Sequence, residues 1–290
     1  MKKLNNKLLI GMLVAAFTLG LAGPINAYAA TSPTLVGSAS YSVLGAETVT
    51  NTGLTTTTGD VGVSAGTEIT GFPPGIAGGD NSVYLHSNDA SAIAAQADNL
   101  TAFGTLNQTC DQTFGAVDLT TTFPDGVEPG VYCSTSSFSL TGDLTLTGSG
   151  VWIFKTASTL ITSPGSSVTG GDPCNVWWRI GSSATLDTTT SFIGNILALT
   201  SIALNTGATL NGRAFVQTGA VTLDANTITG PTCTVPEVVT PTPEVVTPTP
   251  TLPNTGFAPK ETQSSLWTIG ISTGIVTLLS VFIIRKRRVI

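Results

Sequence analysis

From Trp177 onward, apolar and polar positions recur every eighteen residues. Trp177–Gly194, Asn195–Gly212 and Arg213–Gly230 align column by column, and each unit closes on a glycine. Ile180, Ala198 and Val216 share one column, and Phe192, Leu210 and Ile228 share another. An earlier copy starts near Val151, with insertions. A short repeat rich in β-formers and Gly, without helical periodicity, predicts an all-β solenoid. Eighteen residues suit a triangular rung of three short strands. A smaller signature runs further: Glu68–Gly71, Ser139–Gly142, Thr145–Gly148, Ser167–Gly170, Ser191–Gly194, Thr209–Gly212 and Thr227–Gly230 share one form. Its apolar second residue points in, the two neighbours point out, and Gly turns the corner. Stacking would bury the apolar column and leave an outward ladder of Thr and Ser.

One segment breaks the pattern. Residues 87–107 are rich in Ala, Gln and Leu and open on Ser-Asn-Asp, a good helix start. Ile93, Ala97, Leu100 and Phe103 fall on one side of that helix. In the eighteen-residue register Leu197 and Phe215 point outward beside Leu199. The helix is expected to lie along this face and cover them, as scaffold rather than as a site.

Composition sharpens the picture of this middle region. Residues 30–233 hold 38 Thr in 204 positions, and their charge is 3 − 14 = −11, from Lys155, Arg179 and Arg213 against fourteen Asp and Glu. Such a surface repels phosphate backbones, which excludes nucleic acid as a partner.

The two ends read as addresses. Lys2, Lys3 and Lys7 precede an apolar run from Leu8 to Leu21, and Ala27-Tyr28-Ala29 has the spacing of a signal-peptidase site; residues 1–29 are expected to be a secretory signal peptide. At the other end Leu252, Pro253, Asn254, Thr255 and Gly256 match the L-P-x-T-G sorting motif. An uncharged apolar run, residues 266–284, follows, then a basic tail, 285–290. Nineteen residues at about 1.5 Å each span about 28 Å, enough for a bilayer core. The order resembles that of a sortase substrate, in which Thr255 would be joined to peptidoglycan and the membrane would hold the chain only before cleavage. Residues 234–251 repeat Pro-Glu-Val-Val-Thr-Pro-Thr, a polyproline stalk reaching on the order of 56 Å. The expected location is therefore outside a Gram-positive-type cell, anchored to its wall, with residues 30–233 as a monomeric domain.

Outside the cell, Cys110, Cys133, Cys174 and Cys233 are expected to form disulfides. Three connectivities exist; Cys110–Cys133 with Cys174–Cys233 is favoured because each pair flanks a plausible unit. Zinc is not expected, since no C-x-x-C spacing occurs. Catalysis also lacks its parts. Polysaccharide lyases on β-helices need a carboxylate cluster and a basic partner. Here Asp187, Asn205 and Asp224 sit in near-equivalent columns that read as turn positions. Arg213 has no acidic neighbour in register, and His86 has no Ser or Cys partner motif. The chain is expected to be no enzyme and to need no cofactor.

A flat ladder of Thr has a physical use. Strands about 4.8 Å apart, with alternate residues about 6.6–7 Å apart, set methyls and hydroxyls on a two-dimensional grid. A rigid grid with few charges can order first-shell water and adsorb to ice. Gly71–Gly75, Cys174–Thr185 and Gly194–Ala214 are similar in sequence to the ice-binding protein family of bacteria, fungi and polar microalgae, over about residues 35–233. The resemblance implies a discontinuous right-handed parallel β-helix with one long α-helix packed alongside, and ice adsorption through one flat face. In some members that face carries T-A/G-x-T/N motifs. Thr206–Thr209 and Thr156–Thr159 fit, Ser182–Thr185 fits loosely, Thr218–Val221 departs at its last position and Thr200–Ala203 at two.

Two faces compete. The first carries Thr145, Thr147, Ser167, Thr169, Ser191, Thr209, Asn211, Thr227 and Thr229, with Ile193 its weak point, and is preferred. The second carries Thr159, Ser183, Thr185, Ser201 and Ala203. The alternative function is a wall-anchored adhesin or glycan-binding surface protein, for which exposed aromatic residues would speak. Trp177 and Trp178 are the candidates, and the register turns Trp178 inward.

Overall fold

The computed structural model describes residues 29–233. The expected signal peptide, stalk, sorting motif, apolar run and basic tail lie outside these residues. Within them every strand pairing is parallel, and the strands fall into three columns, each a face of a β-solenoid. Face I runs Leu85–Ser87, Asp60–Val63, Tyr41–Gly45, the second halves of Thr209–Val216 and Ser191–Ala198, Val176–Ile180, Trp152–Thr156, Gly130–Ser134 and Gln112–Phe114. Face II runs Glu68–Thr70, Thr48–Thr52, Val221–Asp224, Ile202–Leu204, Ala184–Leu186, Leu160–Thr162, Phe138–Leu140 and Val117–Asp118. Face III runs Ile76–Ala77, Thr56–Thr57, Thr227–Thr229, the first halves of Thr209–Val216 and Ser191–Ala198, Ser167–Gly170 and Asp143–Leu146. The two long strands pass from face III to face I at Gly194 and Gly212, where φ is +112° and +159°. A Cβ there would lie 2.6 Å from Val176 Cγ1 and 1.9 Å from the Gly194 carbonyl oxygen respectively, so only glycine fits.

The stack is discontinuous in sequence. The first rung of the chain sits on the last: Val43 pairs with Ala214, Thr50 with Thr222 and Thr56 with Thr227. After a second N-terminal rung, helix α1 (Ala90–Thr105) carries the chain along face I to the far end, where Gln112–Phe114 begins the return. Asp89 caps α1, its carboxylate accepting from the Ala92 amide at 2.8 Å.

Side-chain size follows rung length. Rungs of 22 residues (130 to 152) and 24 (152 to 176) precede two of 18 (177 to 195 to 213). Inside, the wider turns are filled by an aromatic stack, Tyr132 on Phe154 at 5.5 Å and Phe154 on Trp178 at 4.2 Å; the next residues in register, Ile196 and Ala214, fill the narrower ones.

A second apolar cluster lies between face I and α1. It joins Val131, Ile153, Trp177, Leu197 and Phe215 to Ala95, Ala102, Phe103 and Leu106. Leu197 and Phe215 are thus covered, while Leu199 stays 41 % exposed. The helix side differs from the expected one. Ala92, Ala95, Asn99, Ala102 and Phe103 are buried, and Ile93, Ala97 and Leu100 are exposed. The sheet supplies the bulk, so the helix contributes alanines. Its amides are drawn inward: Gln96 and Asn99 donate to the Val216 carbonyl at 2.8 and 3.0 Å, an acceptor that burial would otherwise leave unpaired.

The disulfides are Cys110–Cys133, tying the end of α1's following loop to face I, and Cys174–Cys233. The second closes a separation of 59 residues, worth roughly 4 kcal/mol on the chain-entropy model. Cys174→Ser with Cys233→Ser is expected to lower stability by about that amount in chemical denaturation. A midpoint within error of the parent would contradict it.

Candidate functional site

The three cations of the described residues are all committed to the scaffold. Lys155 Nζ donates to Asn107 Oδ1 and to the Gln108 carbonyl at 3.1 and 2.7 Å. Arg179 stacks over the Phe103 ring at 4.1 Å and donates to the Phe103 carbonyl. Both thus sit at the C-terminal end of α1, where the helix dipole favours positive charge. Arg213 is 2 % exposed and donates to Asn195 Oδ1 and the carbonyls of Ala39 and Pro231. Burial without a carboxylate partner pushes its pKa down to about 10.

The remaining titratable clusters are turn devices. Asp187, Asn205 and Asp224 share a column at the end of face II; Asn205 Nδ2 donates to Asp187 Oδ1 at 3.0 Å, and Thr206 donates to Asp224. His86 lies between Asp89, at 2.8 Å, and Asp60, at 3.6 Å, beside the start of α1. Among the described residues no group of three or more His, Cys, Asp or Glu is placed to hold a metal.

Several aspartates serve as caps. Burial acts to raise the Asp118 carboxyl, but the hydroxyls of Thr120 and Thr141 and the amides of Thr120 and Thr121 outweigh it, and the group lies below the usual carboxylate range. Asp89 behaves alike, burial being outweighed by the Ala92 amide and His86. A depressed folded-state pKa contributes stability that is complete above the ordinary value near 4 and is lost as pH falls through the folded value. The melting temperature is therefore expected to drop as pH falls below about 4; a rise on acidification would contradict this.

The exterior of faces II and III is where the threonines gather. On face III one outward column reads Asp143, Ser167, Ser191, Thr209, Thr227, Thr56 and Ile76. Beside it stand Thr145, Thr169, Asn211 and Thr229, with Ile193 in the gap. Eight of the nine residues of the first candidate face thus come together. Thr147 does not join them: Asp143–Leu146 aligns with Ser167–Gly170, so Thr145 stands beside Thr169 and Thr147 lies past the strand end. The signature copies Glu68–Gly71 and Ser139–Gly142 belong to face II instead. Only one residue pair, Ser167 with Ser191, joins the strands at that step of face III, and the Ser167 hydroxyl is turned to Asp143 at 2.6 Å.

Face II holds all five residues of the second candidate set. Its central outward column reads Ser139, Ile161, Thr185, Ala203, Thr222, Thr50 and Thr70, with at least two register pairs at every step. A flanking column reads Thr159, Ser183, Ser201 and Ala220, followed by Thr48. Charges enter at the ends, at Glu68 and Asp118, along one margin, at Asp187 and Asp224, and beside the other, where exposed Glu47 precedes Thr48. The sequence period had missed Thr222, Thr50 and Thr70. Ile202 pairs with Val221, and 221 − 202 = 19, so the eighteen-residue step slips by one and turns Thr222 outward in place of Val221, which is fully buried. Thr50 and Thr70 precede α1 and reach this column only because the first rung sits on the last.

The family model described as Ice-binding-like matches residues 43–229. An ice-binding protein of Nostoc sp. (strain HG1) is 40 % identical over 296 residues, covering 99 % of this chain and 98 % of that one. The crystal structure of an ice-binding protein from the Antarctic ascomycete Antarctomyces psychrotrophicus superposes with a TM-score of 0.63 at 37 % identity, covering 70 % of this chain and 100 % of that one. One from an Antarctic biological consortium gives 0.61 at 37 % identity, covering 72 % and 95 %. With its parallel solenoid, its lengthwise helix and these relatives, the chain belongs to the ice-binding protein family.

Proposed function

We propose that this chain adsorbs to ice through face II, on a grid centred on the column Thr185, Ala203, Thr222, Thr50 and Thr70. One observation carries the choice of face: this column keeps its register over seven uncharged outward residues, from Ser139 to Thr70. Strands about 4.8 Å apart, with alternate residues about 6.6–6.8 Å apart along each, fix methyls and hydroxyls on a lattice. Solid water is itself a lattice, so adsorption needs matching over many repeats at once; each contact is weak, and rigidity spares the ordering cost. Face II is wide as well as long, and no lysine or arginine reaches it.

The rungs of three strands fit a right-handed solenoid of triangular section, the hand that parallel crossover connections take. Two disulfides suit an oxidising compartment outside the cell. The order of sorting motif, apolar run and basic tail supports wall attachment through Thr255, with the adsorbed role of holding ice at the envelope or restraining its growth there.

A second choice of face has its own support. Ser191, Thr209, Thr227 and Thr56 form four consecutive hydroxyl rungs on face III, three of them threonines and all exposed. Thermal hysteresis and recrystallisation of the full chain test the function itself. A gap between melting and freezing points is expected; none at high concentration, with the chain folded, would refute it and bring the adhesin alternative forward.

A further inference from the structure

We infer that Ile161 marks one edge of the ice contact, which covers five rungs of face II from Thr185 to Thr70 and stops there. The inference rests on face II being the adsorbing face. Ile161 points outward from Leu160–Thr162 and is 52 % exposed. Its register partners are Ser139 on one side and Thr185 on the other, and Thr159 and Ser183 lie in the column beside it. All four have shorter side chains. A threonine ends at its γ atoms; isoleucine carries one carbon more, which stands about 1.5 Å further out.

Ice does not bend around such a projection. A gap of about 0.5–1 Å already forfeits a quarter to a half of a contact's attraction. A plane seated on Thr185, Thr222, Thr50 and Thr70 is held off Ser139 by the intervening isoleucine. Ala203 has no comparable effect, because a short side chain leaves a shallow gap and lifts nothing.

The surface beyond Ile161 serves the protein's own structure. The Ser139 hydroxyl donates to the Val117 carbonyl at 3.4 Å, and the next residue in register, Asp118, is an ionised cap bonded by Thr120 and Thr141. On the other side Thr222, Thr50 and Thr70 follow one another without interruption. Five rungs give four strand spacings, about 19 Å; the seven uncharged rungs would give six, about 29 Å. Ile161 therefore sets how much of the built grid is used.

The experiment measures thermal hysteresis of the full chain at one fixed concentration, with the melting temperature of each variant as a check on folding. Ile161→Thr is expected to raise activity, by roughly the 7:5 ratio of rungs or more. Ile161→Val removes only the projecting carbon, keeps the strand preference, and is expected to act in the same direction. The inference is overturned if neither change at Ile161 raises activity while Thr222→Tyr destroys it. A silent Thr222→Tyr overturns the choice of face, and the edge with it.

Discussion

Thr222→Tyr is expected to abolish thermal hysteresis while leaving the fold intact. Thr222 is exposed at the middle of face II, between Ala203 and Thr50 in register. A tyrosine ring there stands several ångströms above its neighbours, and a rigid plane resting on it loses every other rung at once. The protein has little reason to object: tyrosine is a good strand residue, and exposed substitutions of this kind change stability by about 0.5 kcal/mol or less. Thr209→Tyr, the matching change on face III, is expected to keep activity. The two variants measured side by side decide the face, because the reverse result would hand the site to Thr209 and its column.

Trp178→Ala is expected to cost about 3–5 kcal/mol and to act through folding rather than through ice contact. Trp178 is fully buried, stacks on Phe154 at 4.2 Å and meets Phe192 at 4.8 Å. Its indole N–H donates to the Ile193 carbonyl at 3.0 Å, so truncation leaves a cavity and an unpaired acceptor together. A loss of that size lowers the melting temperature of a domain this large by on the order of 10 °C. Thermal unfolding followed by circular dichroism checks it; a loss below about 1 kcal/mol would mean that the aromatic stack closes over the gap, against the limited collapse usual in cores.

Much of this fold is written in the spacing of residues. The columns Phe192–Leu210–Ile228 and Ile180–Ala198–Val216 are direct records of stacking, because in-register rungs must repeat their inward residues. The lengthwise helix is legible from its capping sequence and from the outward Leu197 and Phe215 that something had to cover. Which side of it faces the sheet is not legible, because Gln96 and Asn99 are turned inward by a single carbonyl, that of Val216, which no periodicity reveals. The centre of the proposed site is hidden for a related reason. A one-residue slip between Ile202 and Val221 turns Thr222 outward. The partnership of Thr50 with Thr222 joins residues 172 apart, from rungs that share no repeat length.

The buried guanidinium of Arg213 bonds two carbonyls with one nitrogen, that of Ala39 near the start of the described chain and that of Pro231 near its end, each at 2.8 Å. The two ends of the solenoid therefore meet at one corner, at the seam where face III gives way to face I, and face II lies across the core from it. A protein whose entry and exit are neighbours behaves as a cassette. It can be spliced into a surface loop of a host, or strung in tandem, with its connections gathered on one side and its threonine lattice left clear on the other.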